Sequence, residues 1–413
     1  MNRLSMLAGG AVLAAALAAT GIAQAAPDRP AAGKRTDALI LGHRGSPGQA
    51  PEETLASYRN ALREDADVLE GDVQLTSDEK LVLLHDDTLV RTTDVEEVYP
   101  DRAPWKVGQF TLAEIKRLDA GSWFDSRYKG QRVPTVRELL DVTDARTGLT
   151  LELKSPANSP GVATLLAREL NAAGLTDGAT LRSGAYRVHV HSRDKAALEE
   201  FHAAAPKVQL SYLTGGAMLP DAELAGLSGW TVGVYTHPRA TGASDIERAH
   251  AHDLKVISDP VDSPTEISMA ANQGYDWVTT NFPDTARRVL DGAKRTFPKA
   301  NGVVVDSVFP NPSGDDVQPE NSEHVVLRNT TPRAVNVGGG YLRDQAGNLL
   351  EIGSGYVIPP GSLLRVHVGP GTDRADAFYN GLTTGFLNNT SGDTVSFFEA
   401  DHSLLDIGSY IVP

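Results

Sequence analysis

Short apolar runs alternate with amphipathic stretches along residues 38–297. The runs end at Gly, Ser, Asp or Pro, as buried strands bounded by turn residues do. They predict strands at 38–43, 67–75, 80–85, 149–154, 186–191, 207–213, 230–235, 254–258 and 276–280. Helical periodicity predicts helices at Glu53–Glu64, Val162–Ala173, Asp194–Ala204, Ser244–His252 and Pro264–Gly274. Alternation over about eight such units predicts an α/β fold, a closed TIM (β/α)₈ barrel.

Two further features bear on this barrel. A doubly wound sheet is the structural alternative, but no G-x-G-x-x-G turn follows the first predicted strand. The run from 87 to 133 is too long for a simple βα connection, so we predict a functional insertion after the second strand region. Its aromatic residues are expected to form a small apolar core or a pocket wall. They are Trp105, Trp123, Phe124 and Tyr128.

The pattern changes after residue 297, across a linker at Thr296–Gly302. Residues 302–413 carry almost no helical periodicity and many short Val, Leu and Tyr runs cut by Gly, Pro and Asn. Such a pattern predicts an all-β, immunoglobulin-like sandwich. The chain is therefore expected to contain a barrel domain at 38–297 and a sandwich at 302–413.

The first 25 residues have the composition of a signal peptide. Arg3 is followed by an apolar stretch from Leu4 to Ala19 and by the small-residue site Ala23-Gln24-Ala25. A membrane anchor or a buried helix is the alternative. No other run approaches the ~20 apolar residues that a membrane span needs, so no transmembrane segment is expected. We predict cleavage after Ala25 and a secreted protein.

Composition narrows the function classes. The 413 residues carry a formal net charge of −15, which argues against nucleic acid or anionic membranes as non-specific partners. There are no cysteines, so disulfides, thiolate catalysis and zinc–thiolate sites are excluded. An anionic substrate would have to be attracted by local positive charge.

Polar residues that could carry chemistry cluster where predicted strands end, which is where barrel active sites lie. Glu70 and Asp72 share one strand face by the i, i+2 rule, as do Glu152 and Lys154. Carboxylate oxygens beside histidines suit a divalent cation and an anionic substrate. The candidates are His43, Arg44, Glu70, Asp72, His85, Glu152 and Lys154. His189 and His191 also share a strand face, and core or rim packing is the expectation for both.

An ordered set of motifs carries a family resemblance over residues ~38–290. The set is His43-Arg44-Gly45, Pro51-Glu52-Glu53-Thr54, Glu70-x-Asp72, His85-Asp86, Ala120-Gly121-Ser122-Trp123-Phe124, Val133-Pro134-Thr135, Leu151-Glu152-Leu153-Lys154 and Thr279-Thr280-Asn281-Phe282-Pro283-Asp284. In this order it resembles the glycerophosphodiester phosphodiesterase family. The later segments Val304–Pro312, Glu323–Asn329, Val337–Asp344 and Ile358–Gly361 resemble a lamin-tail domain.

The resemblance implies a role for each candidate. The family's metal-binding acids fall on Glu70, Asp72 and Glu152, and its catalytic pair falls on His43 and His85. Three carboxylates plus water favour Ca²⁺ or Mg²⁺. Histidines titrate near neutrality, so one can accept a proton while the other donates one. We assign His43 as base and His85 as acid, and the reverse assignment stays open. For binding the substrate's phosphate, the candidates are Arg44 and Lys154.

The expected function is that of a secreted, metal-dependent phosphodiesterase. It would hydrolyse small-molecule glycerophosphodiesters to an alcohol and sn-glycerol 3-phosphate. A related phospholipase D-like enzyme acting on lysophospholipids, sphingomyelin or teichoic acid is the first rival. A barrel glycosidase using Glu70 and Glu152, and a non-catalytic surface binder, are the others. The sandwich is expected to bind a ligand at the cell surface or in the matrix.

Three positions depart from the family pattern. Glu53 stands where the family usually has Asn, and Gly71 replaces a larger residue. The segment Ile257-Ser258-Asp259-Pro260 occupies the region of a late Trp-Thr-x-Asn motif. The predicted metal and histidine set survives these changes, so they put the choice of substrate in doubt and leave the expected activity in place.

Overall fold

The computed structural model describes residues 37–412, apart from 295 and 391, so the predicted signal peptide lies outside the described residues. The strands of the first domain are β1 (Leu39–Gly42), β2 (Val68–Leu75), β3 (Leu81–Leu83), β4 (Gly148–Leu153), β5 (Val188–Ser192), β6 (Gln209–Gly216), β7 (Gly233–Thr236), β8 (Lys255–Ser258) and β9 (Trp277–Thr280). Its helices are α1 (Leu55–Arg63), α2 (Val95–Val98), α3 (Leu112–Ile115), α4 (Val136–Val142), α5 (Val162–Ala172), α6 (Lys195–Ala204), α7 (Asp221–Ser228), α8 (Ala243–Ala251), α9 (Pro264–Gln273) and α10 (Pro283–Leu290).

Eight parallel strands close into a barrel in the order β1-β2-β4-β5-β6-β7-β8-β9, with β9 pairing back onto β1. Leu41 marks the closure, because it is in register with Val68 on one side and with Thr279 on the other. All eight residues of β2 are buried. Burial on both faces is what a parallel strand under a layer of helices requires. The predicted TIM barrel is confirmed.

The predicted strand at 80–85 does not belong to the barrel wall. β3 pairs antiparallel with β2, with Val73 opposite Leu83. The prediction treated it as another barrel strand because a short apolar run looks the same in the sequence whether the strand pairs parallel or antiparallel. This reversal places His85 beside the barrel mouth, since Leu84 N donates a hydrogen bond to Asp72 O at 2.9 Å.

The insertion at 87–133 contains the two four-residue helices α2 and α3 and packs a small apolar core of its own. Trp105 lies partly buried against that core. The other three aromatic residues form a row of edge-to-face rings, with centroids 5.7 Å apart between Trp123 and Phe124 and between Phe124 and Tyr128. The insertion therefore provides both the core and the wall that its sequence allowed.

The second domain consists of strands. They are β10 (Val303–Phe309), β11 (His324–Asn329), β12 (Val335–Asn336), β13 (Tyr341–Arg343), β14 (Leu349–Glu351), β15 (Val357–Ile358), β16 (Leu363–His367), β17 (Ala377–Tyr379), β18 (Asp393–Phe398) and β19 (Leu404–Tyr410). Two four-stranded sheets, β10-β11-β16-β17 and β14-β13-β18-β19, bury one apolar core, and β12 pairs with β15. The predicted all-β character is confirmed. Across the described part of the chain, no helix is both long and apolar enough to cross a bilayer.

The sandwich packs against loops at the C-terminal ends of the barrel strands. The Arg343 guanidinium lies 3.7 Å from the centroid of the Phe124 ring, and its Nη2 donates to Phe124 O at 3.2 Å. Ser263 and Ser409 share a hydrogen bond of 3.0 Å across the same boundary. An apolar cluster also joins the two domains: Phe282, Phe297, Phe398 and Ile407. The second domain is therefore fixed beside the barrel mouth.

Two glycines allow this boundary to be tested. Gly347 has a φ of +93°, and a Cβ there would lie 2.9 Å from Trp123 Cζ3, whereas Gly355 has a φ of +83° and no described atom within 4 Å of its Cβ position. Gly347→Ala and Gly355→Ala should both suffer left-handed backbone strain. Gly347→Ala should lose an additional ~1–3 kcal/mol from overpacking against the indole. Chemical denaturation would measure both variants, and equal losses would contradict the described contact between the domains.

Candidate active site

The three predicted metal-binding acids meet at the C-terminal end of two neighbouring strands. Asp72 on β2 is in direct register with Glu152 on β4, and Glu70 lies two residues before Asp72 on the same face. The three residues are 1–8% exposed. Buried carboxylates must be paired or must coordinate a cation, because isolated charge in a low-dielectric interior is costly.

Two basic side chains offset part of this charge. Lys154 Nζ lies 3.4 Å from Asp72 Oδ1 and 3.4 Å from Glu152 Oε1. Arg44 Nε lies 3.2 Å from Asp72 Oδ2, and Arg44 N donates to Glu70 Oε2 at 2.8 Å. The structure thus brings both predicted phosphate-binding residues to the acids. They are held in place by ion pairs before any substrate is present.

The donor atoms fit a divalent cation. Ligand atoms of Glu70, Glu152 and His191 lie within 4.8 Å of one another, and so do those of Glu53, Glu70 and Asp72. Burial and the nearby Asp72 charge raise the pKa of Glu70 and of Glu152. The charges of Lys154 and Arg44 outweigh burial and hold the pKa of Asp72 well below its usual range. The raised pKa values show that the acids carry more negative charge than Lys154 and Arg44 balance. A divalent cation would neutralise that excess.

Glu53 joins this cluster, although the sequence marked it only as a departure from the family. Its φ is +54°, and its Oε1 accepts a hydrogen bond of 2.8 Å from Asp72 N. The Tyr58 hydroxyl donates to its other carboxylate oxygen. Burial, and then the charge of Asp72, raise the pKa of Glu53 well above its usual range. The sequence signal for Glu53 was its carboxylate, which stands where the family usually has the amide of asparagine.

His43 is held by a relay of two residues from the β8 and β9 loops. His43 Nδ1 lies 2.8 Å from Asn281 Oδ1, and Asn281 Nδ2 donates to Asp262 Oδ2 at 2.7 Å. Because a carboxylate only accepts, the amide NH₂ must face Asp262 and the amide oxygen must face His43. His43 therefore carries its proton on Nδ1 and has a free lone pair on Nε2. Burial and the Arg44 charge lower the pKa of His43 to about 3, so the ring is neutral at pH 7.

His85 has a different partner. Its Nδ1 lies 2.7 Å from Asp86 Oδ1, and Asp86 Oδ2 accepts a 2.7 Å hydrogen bond from Arg91 Nε. Arg91 also makes two 2.8 Å hydrogen bonds to the Glu52 carboxylate, which pairs with Arg44 Nη1 at 3.1 Å. Asp86 therefore orients the His85 ring. This chain of ion pairs ends at the same Arg44 that contacts the acids.

Sequence reasoning missed several of these residues. Arg91 lies in the insertion, and Asp262 follows the departure segment at Ile257–Pro260, where no motif marked it. Asn281 was part of a matched motif but had no assigned role. His191 was expected to pack in the core or at the rim, with no role in the site, and its Nε2 lies 3.6 Å from Glu70 Oε1. Only the structure shows that these side chains converge on the predicted set.

Comparisons with known proteins find similarity to both domains. A family model described as the glycerophosphoryl diester phosphodiesterase family matches residues 43–285, and one described as the lamin tail domain matches residues 296–411. A glycerophosphodiester phosphodiesterase of Bacillus subtilis (strain 168) is 32% identical over 265 residues, covering 62% of this chain and 87% of that protein. One from Bacillus altitudinis is 28% identical over 261 residues, covering 62% of this chain and 99% of that protein.

A solved structure is similar as well. It is that of an Oleispira antarctica phosphodiesterase in complex with the product sn-glycerol-3-phosphate. It aligns with a TM-score of 0.53 at 28% identity, covering 61% of this chain and 96% of that one. Both resemblances seen in the sequence are confirmed. Since the first family model spans more than half of the chain, the protein belongs to the glycerophosphoryl diester phosphodiesterase family, with a lamin tail domain after its barrel.

Proposed function

We propose that the chain is a secreted, metal-dependent phosphodiesterase that hydrolyses glycerophosphodiesters to an alcohol and sn-glycerol 3-phosphate. One observation carries the proposal: two differently held histidines, His43 bonded to Asn281 and His85 bonded to Asp86, lie beside a single cluster of buried acids. The relatives named for this activity, and the similar structure with its bound product, support it. Secretion is inferred from residues 1–25 of the sequence.

Phosphodiester hydrolysis needs a proton removed from the attacking oxygen and a proton delivered to the leaving alkoxide. His43 can accept the first proton at Nε2, while Asn281 and Asp262 hold its Nδ1–H. His85 can deliver the second from its own Nε2, with Asp86 orienting the ring through Nδ1. The attacking oxygen is water or, as the family resemblance implies, a glycerol hydroxyl that first forms a cyclic phosphate.

Positive charge must stabilise the phosphoryl oxygens during this transfer. Arg44 offers a guanidinium and Lys154 an ammonium, each already positioned by Asp72. A divalent cation held by Glu70, Asp72 and Glu152 would supply further charge to the phosphoryl group. Considered alone, these oxygen ligands favour Ca²⁺ or Mg²⁺.

Chelation separates this proposal from a barrel glycosidase that uses Glu70 and Glu152 as its acid pair. EDTA should abolish release of sn-glycerol 3-phosphate, and added divalent cation should restore it, because three buried carboxylates need a counter-ion. A two-carboxylate glycosidase would be indifferent to EDTA. Release of sn-glycerol 3-phosphate from a panel of glycerophosphodiesters and lysolipids would be measured. Full activity in EDTA would contradict the metal dependence.

The acid and base assignments can be tested with two leaving groups. His43→Gln should lower kcat/KM by about 10²–10⁴-fold for both an alkyl and a 4-nitrophenyl glycerophosphodiester, since either needs its nucleophile deprotonated. His85→Gln should lower it for the alkyl ester and far less for the nitrophenyl ester, whose leaving group departs without a proton. The opposite pattern would reverse the assignment.

The relay behind His43 gives a further prediction. In Asp262→Asn the new amide can donate to Asn281, which allows Asn281 to turn its NH₂ toward His43 and shift the ring proton to Nε2. Loss of such an orienting contact should lower kcat by about 10- to 100-fold, with KM little changed. Asp284→Asn, which removes a half-exposed ion pair with Arg288, is the matched control. Equal kcat values in Asp262→Asn and Asp284→Asn would show that Asp262 does not act on His43 through Asn281.

A further inference from the structure

His191 on β5 is buried, with 3% of its surface exposed, and no described residue forms a hydrogen bond with either ring nitrogen. Buried polar atoms almost always have a partner, so an imidazole with two free nitrogens needs an explanation. The Tyr235 ring stacks on it with centroids 4.7 Å apart and planes 28° apart. This stacking fixes the ring plane and limits its rotation toward another partner.

His189 shows that burial on β5 does not by itself leave a histidine without hydrogen-bond partners. It lies two residues earlier on the same face and is fully buried. Its Nε2 lies 2.8 Å from Ser211 Oγ, and its Nδ1 lies 3.3 Å from Thr150 Oγ1. The same residue type in a neighbouring position is therefore provided with hydroxyl partners, whereas His191 faces the acid cluster.

The distance from His191 to the acids matches two ligands of one ion. Its Nε2 lies 3.6 Å from Glu70 Oε1, which exceeds the usual hydrogen-bond length. Ligands at about 2.0–2.2 Å from a common metal, arranged tetrahedrally or octahedrally, are themselves ~3–3.5 Å apart. Glu152 supplies a third ligand atom within 4.8 Å of both.

We propose that His191 Nε2 is a nitrogen ligand of the divalent cation, together with the carboxylates of Glu70 and Glu152. This inference rests on the metal site of the proposed function and deepens it. An imidazole ligand favours borderline cations such as Co²⁺, Ni²⁺ or Zn²⁺, and Mn²⁺ accepts a nitrogen ligand more readily than Ca²⁺, which prefers oxygen. We therefore expect the metal preference of the site to differ from the preference for Ca²⁺ or Mg²⁺ that the three acids alone would give.

The test uses the full chain, freed of metal by chelation and loaded with Mn²⁺ alone. Pulsed electron paramagnetic resonance detects a nitrogen bound to Mn²⁺ directly and does not depend on turnover. The wild type and the control His189→Gln should show the nitrogen signal, and His191→Gln should lack it. A wild type without the signal, or a signal retained in His191→Gln, would overturn the assignment.

Affinity gives a second readout. His191→Gln should weaken Mn²⁺ binding by at least about 10- to 100-fold, the loss found even for residues that only orient ligands. Ca²⁺ binding should change much less, and equal losses for both ions would contradict the proposed selectivity. Thermal unfolding of the metal-free variants checks that each is folded. A wild type that shows the nitrogen signal but releases no sn-glycerol 3-phosphate would refute the proposed function and leave His191 as a ligand.

Discussion

Negative charge buried at the barrel mouth is the constraint around which the site is built. Four carboxylates meet there: those of Glu53, Glu70, Asp72 and Glu152. Two basic side chains, Arg44 and Lys154, are too few to balance them. Charges in a protein interior repel much more strongly than in water, so some of these acids bind protons instead. A divalent cation would relieve the same repulsion, which couples metal binding to the stability of the barrel end.

The two histidines differ because their partners differ in chemistry. His43 donates to a neutral amide oxygen, which fixes its tautomer, and burial lowers its pKa so that the ring stays uncharged. His85 Nδ1 instead contacts the carboxylate of Asp86, a charged acceptor. Arg91 and Glu52 connect Asp86 to Arg44 through successive ion pairs. The proposed proton donor, His85, and the proposed phosphate-binding residue, Arg44, are thus joined by one network of ion pairs.

Local patterns in the sequence were sufficient for the barrel and for the convergence of Glu70 with Asp72, because both follow from strand periodicity. They were not sufficient where a residue's role depends on a distant segment. Asp262 acts only because its loop lies against Asn281, and β3 could be placed only by its pairing with β2. His189 and His191 have the same local pattern. What distinguishes them is the residue opposite each ring, a serine in one case and Glu70 in the other.

The position of the lamin tail domain affects the site as well as the shape of the molecule. One crevice is lined by Asp262 and Asn281 from the barrel and by Arg343 and Asp344 from the sandwich. Packing of the sandwich there helps to exclude water from Asp262, and burial raises the pKa of Asp262 to about 6. The contacts of the sandwich run from Trp123 and Phe124 in the insertion to Ser263 in the loop after β8. The second domain therefore covers the far end of the relay behind His43, whereas Lys154 lies beside the acids just after β4.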